Sequence, residues 1–194
     1  MYNLQNNDIK SEGGSPIFKL GISSGNELTT VEKGAASNGN TFLKFTFTAP
    51  DETTVSHFEW PVDETASNAA NKFKSQIARI KHILTKFIDE SQLPVANSFD
   101  ELADKVVALL NGRTAGIKLH VKTTYTWNNF IGIPSYVPFI ELDNGTPATK
   151  LKIKSQEEGG IDKMVRDDQD SQEDVSAQLS QPVAGNISGA NLPF

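Results

Sequence analysis

The sequence predicts a mainly β fold in which helices are inserted between strands. Three observations predict it. Residues 41–60 contain two strand-like runs around a turn, which is typical of a β-hairpin. Residues 65–110 carry apolar side chains three and four positions apart, which is typical of helices. Period-two alternation then returns at 116–125 and indicates another strand.

The strands before the helices are predicted at 17–22, 41–48 and 55–60. Residues 41–48 are rich in Phe and Thr, which favour strands, and the Ala-Pro-Asp-Glu sequence after them predicts a turn. Residues 23–40 are rich in Ser, Gly, Asn and Thr. This composition predicts a long loop or a weak hairpin.

Two helices follow, and then the last strands. The first helix presents one apolar face, formed by Phe73, Ile77, Ile80, Leu84 and Phe87. Ser98 and Glu101 form a capping box at the start of the second, which ends at Asn111-Gly112. We expect strands at 116–125 and 136–140, and either a short pairing or the exit from the domain at 150–154.

This order of elements predicts an OB-fold-like antiparallel five-stranded barrel with a helical insertion between strands 3 and 4. We divide the chain into a flexible N-terminus (1–15), the OB-fold-like domain (16–155) and an acidic disordered tail (156–194). The charge supports this division. Residues 1–155 hold 16 Lys and Arg against 16 Asp and Glu, whereas residues 156–194 hold 2 against 8. So polar a tail cannot bury enough apolar area to offset the entropy of ordering.

Composition also limits the function classes. The chain has no Cys, so it has no disulfide and no thiolate metal site. No apolar run reaches the ~18–20 residues of a membrane span, and the N-terminus lacks a signal-peptide pattern. We therefore expect a cytoplasmic protein without membrane contact.

The sequence does not predict an enzyme. His57, His82 and His120 lie on different predicted elements and lack metal-ligand spacing. Neither a phosphate-binding glycine loop nor a Gly-x-Ser-x-Gly motif occurs, and the acidic run at 167–170 lacks the glycine and final Glu of a calcium loop. We expect no catalytic residue, no metal and no cofactor.

Three features resemble phage-encoded single-stranded DNA-binding proteins built on one OB-fold. They are the strand-helix-strand order across 17–140, the aromatic and basic residues of the strands and of the 125–130 loop, and the acidic tail with its Leu192-Pro193-Phe194 triplet. The triplet departs from the family pattern, because the residues just before it are neutral and the acidic run lies further upstream.

The resemblance implies sequence-independent binding and protection of single-stranded DNA during replication or recombination, in the host cytoplasm if the protein is phage-encoded. It also implies that Leu192, Pro193 and Phe194 bind replication or recombination proteins. Eight tail carboxylates could compete with phosphates for an empty binding face. Homo-oligomer formation stays open.

Strand alternation selects the candidate nucleic-acid-binding residues. In 41–48 the apolar side chains of Leu43, Phe45 and Phe47 are expected to point inward, which leaves Phe42 and Lys44 outside. In 116–125 the same reasoning exposes Lys118, His120 and Lys122. With the residues of the loop between strands 4 and 5, the candidates are Phe42, Lys44, Arg113, Lys118, His120, Lys122, Tyr125 and Trp127. Trp60 is expected to pack in the core or against the helix instead.

Two other functions stay open. One is a virion structural or cargo protein without nucleic-acid binding, and the other is a replication or recombination accessory that uses the same fold for protein contacts. Lys44, Lys118 and Lys122 on one face would favour DNA binding. Their scattering over different sides would favour the alternatives.

Overall fold

The computed structural model describes residues 17–166, which are built on an antiparallel sheet. The strands are β1 (Gly21–Ala35), β2 (Thr41–Thr48), β3 (Thr54–Glu59), β4 (Leu119–Tyr125), β5 (Ile131–Gly132) and β6 (Ile140–Leu142). Their order is β3-β2-β1-β4-β5, and β6 also pairs with β4. Three consecutive strands followed by one that returns beside the first form a Greek key, and β1 to β4 have that arrangement.

The sheet does not close, so the predicted five-stranded barrel is not supported. β3 and β5 lie at the two ends of the strand order, and no strand pairing joins them within residues 17–166. The coarser prediction of a mainly β fold with inserted helices is confirmed. The helices α1 (Ala69–Leu84) and α2 (Phe99–Leu110) lie between β3 and β4, separated by a short 3-10 turn.

β1 is one long strand, so the prediction of a loop or weak hairpin at 23–40 was wrong for most of that stretch. One part of β1 pairs with β4 and the other with β2, with register shifts between Ser23 and Asn26 and between Leu28 and Thr30. Gly25 lies within the first shift and has a φ of 74°, a left-handed conformation that glycine adopts readily. Pairing with two strong strands overrides the loop-like composition.

The core packs the inner face of the sheet against the helices. Leu43, Phe45 and Phe47 are fully buried, which confirms their inward orientation. They form one cluster with apolar residues of both helices, namely Ile80, Ile83, Leu84, Ala103, Val106 and Leu110. The predicted core face of the first helix is correct only for its second half, because Phe73 and Ile77 are exposed.

The second helix begins as predicted. The Glu101 amide donates to Ser98 Oγ at 3.1 Å, and the Glu101 carboxylate accepts from the Asn97 amide at 2.8 Å. These bonds satisfy amide groups that have no partner inside the helix. The capping signal therefore located α2 correctly.

The last strands differ more from the prediction. β4 confirms the strand at 116–125 but begins at Leu119. The strand predicted at 136–140 is instead the short β6, which begins at Ile140, and β5 was not predicted. Both are too short to leave a clear alternating pattern in the sequence.

The segment 150–166 packs onto the domain. Leu151 and Asp162 are buried, and Ser155 pairs with Asp162 in a parallel bridge. Residues 156–166 therefore belong to the fold, and the predicted boundary between residues 155 and 156 lies too early. The predicted flexible residues 1–15 and the remaining tail, including Leu192, Pro193 and Phe194, lie outside the described residues. Within 17–166, neither helix has the length and apolar character that a membrane crossing needs.

Candidate nucleic-acid interface

Three rings cluster on the outer side of β2 and β3. Phe42, Phe58 and Trp60 alternate with inward residues, so they share the solvent side of the sheet. The Phe42 centroid lies 5.5 Å from that of Phe58 and 5.2 Å from that of Trp60, and the Phe58 and Trp60 rings are 18° from parallel. Phe58 and Trp60 are each 43% exposed. We call these three residues the aromatic face.

A glycine on the neighbouring strand makes room for this cluster. Gly34 of β1 is the direct cross-strand partner of Phe42. A Cβ atom at Gly34 would overlap the Phe42 ring, so the ring lies across the β1 backbone. The aromatic face therefore covers part of the sheet instead of projecting as separate side chains.

Trp60 was expected in the core or against the helix, and its exposure corrects that prediction. The neighbouring Glu59 takes the inward position instead. Its carboxylate binds Arg79 through two hydrogen bonds of 2.6 and 2.7 Å, and His57 Nε2 lies 2.8 Å from Glu59 Oε1. Burial opposes the charged form of Glu59, but these partners outweigh it and lower its pKa. This pairing fixes the end of β3 against α1 and leaves the indole outside.

Lys44 is the cation beside the aromatic face. Its Nζ lies 5.9 Å from the Phe58 centroid and 2.8 Å from Glu32 Oε1. Glu32, Lys44 and Phe58 are in register across β1, β2 and β3. The placement of Phe42 and Lys44 on the outer side confirms their predicted orientation. Lys44 is, however, already paired with a carboxylate.

The loop between β4 and β5 presents two more rings. Trp127 is 89% exposed and Phe130 is 69% exposed. The turn is closed by the Thr126 amide, which donates to the Phe130 carbonyl at 2.7 Å, and Asn129 adopts a φ of 61°. Lys163 Nζ donates to Asn129 Oδ1 at 2.8 Å. Backbone and polar side chains hold the turn, and the two rings face solvent.

The residues after Asp162 reach this loop, which the sequence did not predict. The Tyr125 amide donates to the Lys163 carbonyl at 2.8 Å, and the Arg166 guanidinium lies 5.4 Å from the Tyr125 centroid. Two cations assigned to the acidic tail therefore lie at the end of β4. Their position at the end of β4 depends on contacts between distant parts of the chain, so no local pattern in the sequence predicts it.

His120 and Lys122 are buried, so their predicted exposure was wrong. The His120 ring nitrogens contact Ser24 Oγ and the Thr146 carbonyl, both at 2.9 Å. Lys122 Nζ binds the Asp162 carboxylate at 2.8 Å and the Lys152 carbonyl at 2.9 Å. The chain after β6 covers this side of β4, which alternation within one strand cannot reveal.

The Lys122–Asp162 pair is completed by Tyr136. The Tyr136 hydroxyl donates to Asp162 and its ring lies 5.0 Å from Lys122 Nζ. Burial opposes ionisation of Asp162, but hydrogen bonds from Lys122, the Lys154 amide and Tyr136 lower its pKa. Burial and the Asp162 charge raise the pKa of Tyr136. The pair serves to hold the C-terminal segment.

The other predicted cations are not brought to the aromatic face. Lys118 lies just before β4 and pairs with Glu27 of β1. Trp127 follows the opposite end of β4. Arg113 lies in the exposed turn after α2. Because Lys122 is buried, Lys44, Lys118 and Lys122 do not form one exposed basic side, the arrangement that would favour DNA binding.

The described residues hold no group of three or more His, Asp or Glu side chains suited to a metal ion. His82 accepts the amides of Phe139 and Ile140 at 3.3 and 3.2 Å. Burial, with a smaller effect of Lys86, lowers its pKa to about 4, so it is neutral near pH 7. His57 contacts Glu59 of its own strand, whereas His82 and His120 contact backbone groups of other segments.

The exposed rings are suited to stacking against flat apolar groups. Sequence reasoning selected Phe42, Lys44, Tyr125 and Trp127 but missed Phe58, Trp60 and Phe130. Alternation along 54–59 could have identified Phe58, because Val55, His57 and Glu59 occupy the inward positions. A comparison of the sequence with protein-family models and with curated proteins finds no match.

Proposed function

We propose that the protein binds single-stranded DNA without sequence preference, during DNA replication or recombination, and acts by binding instead of catalysis. The aromatic face is the observation that carries this proposal. Unpaired bases stack on exposed rings regardless of sequence, and each such contact contributes ~1–3 kcal/mol. A binding surface also explains why three large rings lie together on a solvent side.

The topology supports the same proposal. β1 to β4 form a Greek key, and the OB-fold is a partly open Greek-key barrel. An OB-like interpretation assigns ligand binding to the face of strands 2 and 3 and to the loop between strands 4 and 5. The exposed ring of Phe58 lies on β3, Trp60 directly follows β3, and Trp127 lies in the β4–β5 loop.

The charge around these rings is modest. Lys44 is paired with Glu32. Arg166 lies near the β4–β5 loop, because its guanidinium contacts the ring of Tyr125. We therefore assign most of the affinity to stacking and a smaller part to phosphate contacts. Recruitment of replication or recombination proteins by Leu192, Pro193 and Phe194 stays a prediction from the resemblance.

The test is the affinity of the full chain for labelled oligo-dT, measured by fluorescence anisotropy. Phe58→Ala and Trp60→Ala should each weaken binding roughly 5- to 100-fold, because each removes one stacking contact. Leu142→Ala is the matched control, because Leu142 is similarly exposed, at 40%, but lies on β6. Equal affinities for both ring variants and the wild type would contradict the proposal. Parallel titrations with oligo-U compare RNA with DNA.

A second function has one observation in its favour. Lys118 pairs with Glu27 away from the aromatic face and Lys122 is buried, so the described domain lacks the shared basic side expected of a strong DNA binder. Exposed rings are also common at the centres of protein interfaces. A virion or accessory protein that uses the aromatic face for protein contact would show no oligonucleotide binding in the same titration.

A further inference from the structure

The apolar stripe of α1 extends beyond the core. Phe73, Ile77, Ile80 and Leu84 lie on one side of the helix at helical spacing. Ile80 and Leu84 are buried, whereas Phe73 is 57% exposed and Ile77 is 38% exposed. The first half of α1 therefore presents apolar side chains that the described domain does not cover.

These side chains line a groove beside the start of α2. The groove has a volume of about 770 Å³ and runs between α1 and residues 94–99. Val95, which is 84% exposed, lies on its other side. Ligand pockets in proteins span ~300–1,000 Å³, so this groove has room for a peptide with apolar side chains. We call it the α1–α2 groove.

The charge beside the groove favours an acidic occupant. Lys72 and Lys74 flank Phe73, and α1 carries Lys72, Lys74, Arg79 and Lys81 with no acidic residue. Residues 167–194 of the same chain contain five acidic residues, no Lys or Arg, and the apolar triplet Leu192-Pro193-Phe194. Glu64 is the single charged residue among the groove-lining residues of the described chain. Segment and groove are complementary in apolar character, and the acidic residues of the segment are complementary to Lys72 and Lys74 beside the groove, not to its lining.

The connection is long enough for docking within one copy. Residue 192 is 26 positions after Arg166, the last described residue. A chain of this length spans up to about 90 Å, whereas a domain of this size has a radius of gyration of about 15 Å. Covalent connection also raises the effective concentration of the segment far above that of a second copy.

We propose that the segment 167–194 docks in the α1–α2 groove of its own chain. Leu192 and Phe194 contact Phe73, Ile77 and Val95, and the acidic residues lie along Lys72 and Lys74. The groove then competes with any partner protein that takes the same triplet. This arrangement does not depend on DNA binding, because none of Phe42, Phe58 and Trp60 lines the groove.

The test is site-specific photo-crosslinking in the full chain, with p-benzoylphenylalanine substituted at Phe194 and products mapped by mass spectrometry. We expect crosslinks within one copy to the groove residues Phe73, Ile77 or Val95. Replacing both Phe73 and Ile77 by Ser should lower the yield of groove crosslinks roughly tenfold, because two apolar contacts are lost. Both residues are exposed, so the fold should survive, which circular dichroism checks. Leu142→Ser is the control and should leave the yield unchanged.

A second pair of substitutions tests the charge. Replacing Lys72 and Lys74 by Glu should lower the yield of groove crosslinks several-fold at low salt. At high salt the charges are screened, so the variant and the wild type should give similar yields. Crosslinks spread over the whole surface, or joined mainly between copies, would overturn the proposal. Crosslinks to Phe58 or Trp60 would overturn it in favour of a segment that covers the aromatic face. Oligonucleotide titration of the same proteins reports the proposed function separately.

Discussion

Glu32 and Lys44 form an ion pair beside the aromatic face, and this pair limits what Lys44 can do for a ligand. Their charged atoms lie 2.8 Å apart, and both side chains are partly exposed. A phosphate that approaches Lys44 must compete with the Glu32 carboxylate. Exposed pairs of this kind contribute about 0.2–1 kcal/mol, so the competition is weak but measurable.

Glu32→Gln should therefore tighten oligo-dT binding roughly 1.5- to 5-fold, because it releases Lys44 for a phosphate. Glu27→Gln is the matched control, because it releases Lys118 away from the aromatic face. Isothermal titration at low salt measures both. An increase with Glu27→Gln and none with Glu32→Gln would move the site to the start of β4.

The buried Asp162 carboxylate should make stability depend on pH. Its pKa is lowered in the folded protein from an ordinary value of 3.8, so the charged form is favoured by folding. This contribution is complete above the ordinary value and is lost as the pH falls toward the folded pKa.

Asp162→Asn should destabilise the protein at pH 7 by about 3–5 kcal/mol, because Lys122 is left as an unpaired buried charge. It should also flatten the decline in stability below about pH 4. Urea denaturation across this pH range measures both effects. An equally steep decline in the variant would assign the acid sensitivity to another carboxylate.

At the scale of elements, the C-terminal segment 150–166 packs against β4. It supplies Asp162 to Lys122 and covers the side of β4 that would otherwise face solvent. It also brings Lys163 and Arg166 to the end of β4. The acidic composition that suggests a tail from residue 156 therefore begins inside the folded part of the chain.

Two truncations separate the folded segment from the rest. A chain ending at residue 166 should keep its melting temperature within a few degrees, since every described contact remains. A chain ending at residue 155 lacks Asp162 and should melt on the order of 10 °C lower or fail to fold. Differential scanning calorimetry compares them. Equal melting temperatures would contradict the role of Asp162.

Local sequence signals predicted the elements that depend on nearby residues. The Phe- and Thr-rich pattern located β2, and Ser98 with Glu101 located the start of α2. The core positions of Leu43, Phe45 and Phe47 followed from alternation alone. Each of these features depends on residues that are close together in the sequence.

Features that depend on distant chain segments were not predictable. β1 looks like a loop until β2 and β4 pair with it, and Lys122 looks exposed until Asp162 reaches it. The aromatic face also forms across strands, because Gly34 of β1 makes room for Phe42 of β2. The packing of the aromatic face was therefore outside the reach of strand-by-strand reasoning, although alternation along 54–59 could have identified Phe58.

At the scale of the whole molecule, charge is balanced by pairing over much of the described domain. Lys33 pairs with Asp100 and Asp104, and Lys105 pairs with Glu101. Lys44 and Lys118 are likewise paired with carboxylates. A surface of this kind favours stacking over electrostatic attraction as the source of affinity. This binding mode differs from that of a strongly basic groove, in which electrostatic attraction to phosphates supplies most of the affinity.

The most direct test follows the two tryptophans of the chain, because Trp60 and Trp127 lie in the two halves of the proposed interface. Trp60→Phe and Trp127→Phe each leave one indole as the reporter during titration with oligo-dT. We predict saturable quenching of both, with a slope of log affinity against log salt no steeper than about −2, which corresponds to two or three phosphate contacts. Unchanged Trp60 fluorescence at low salt would contradict the account.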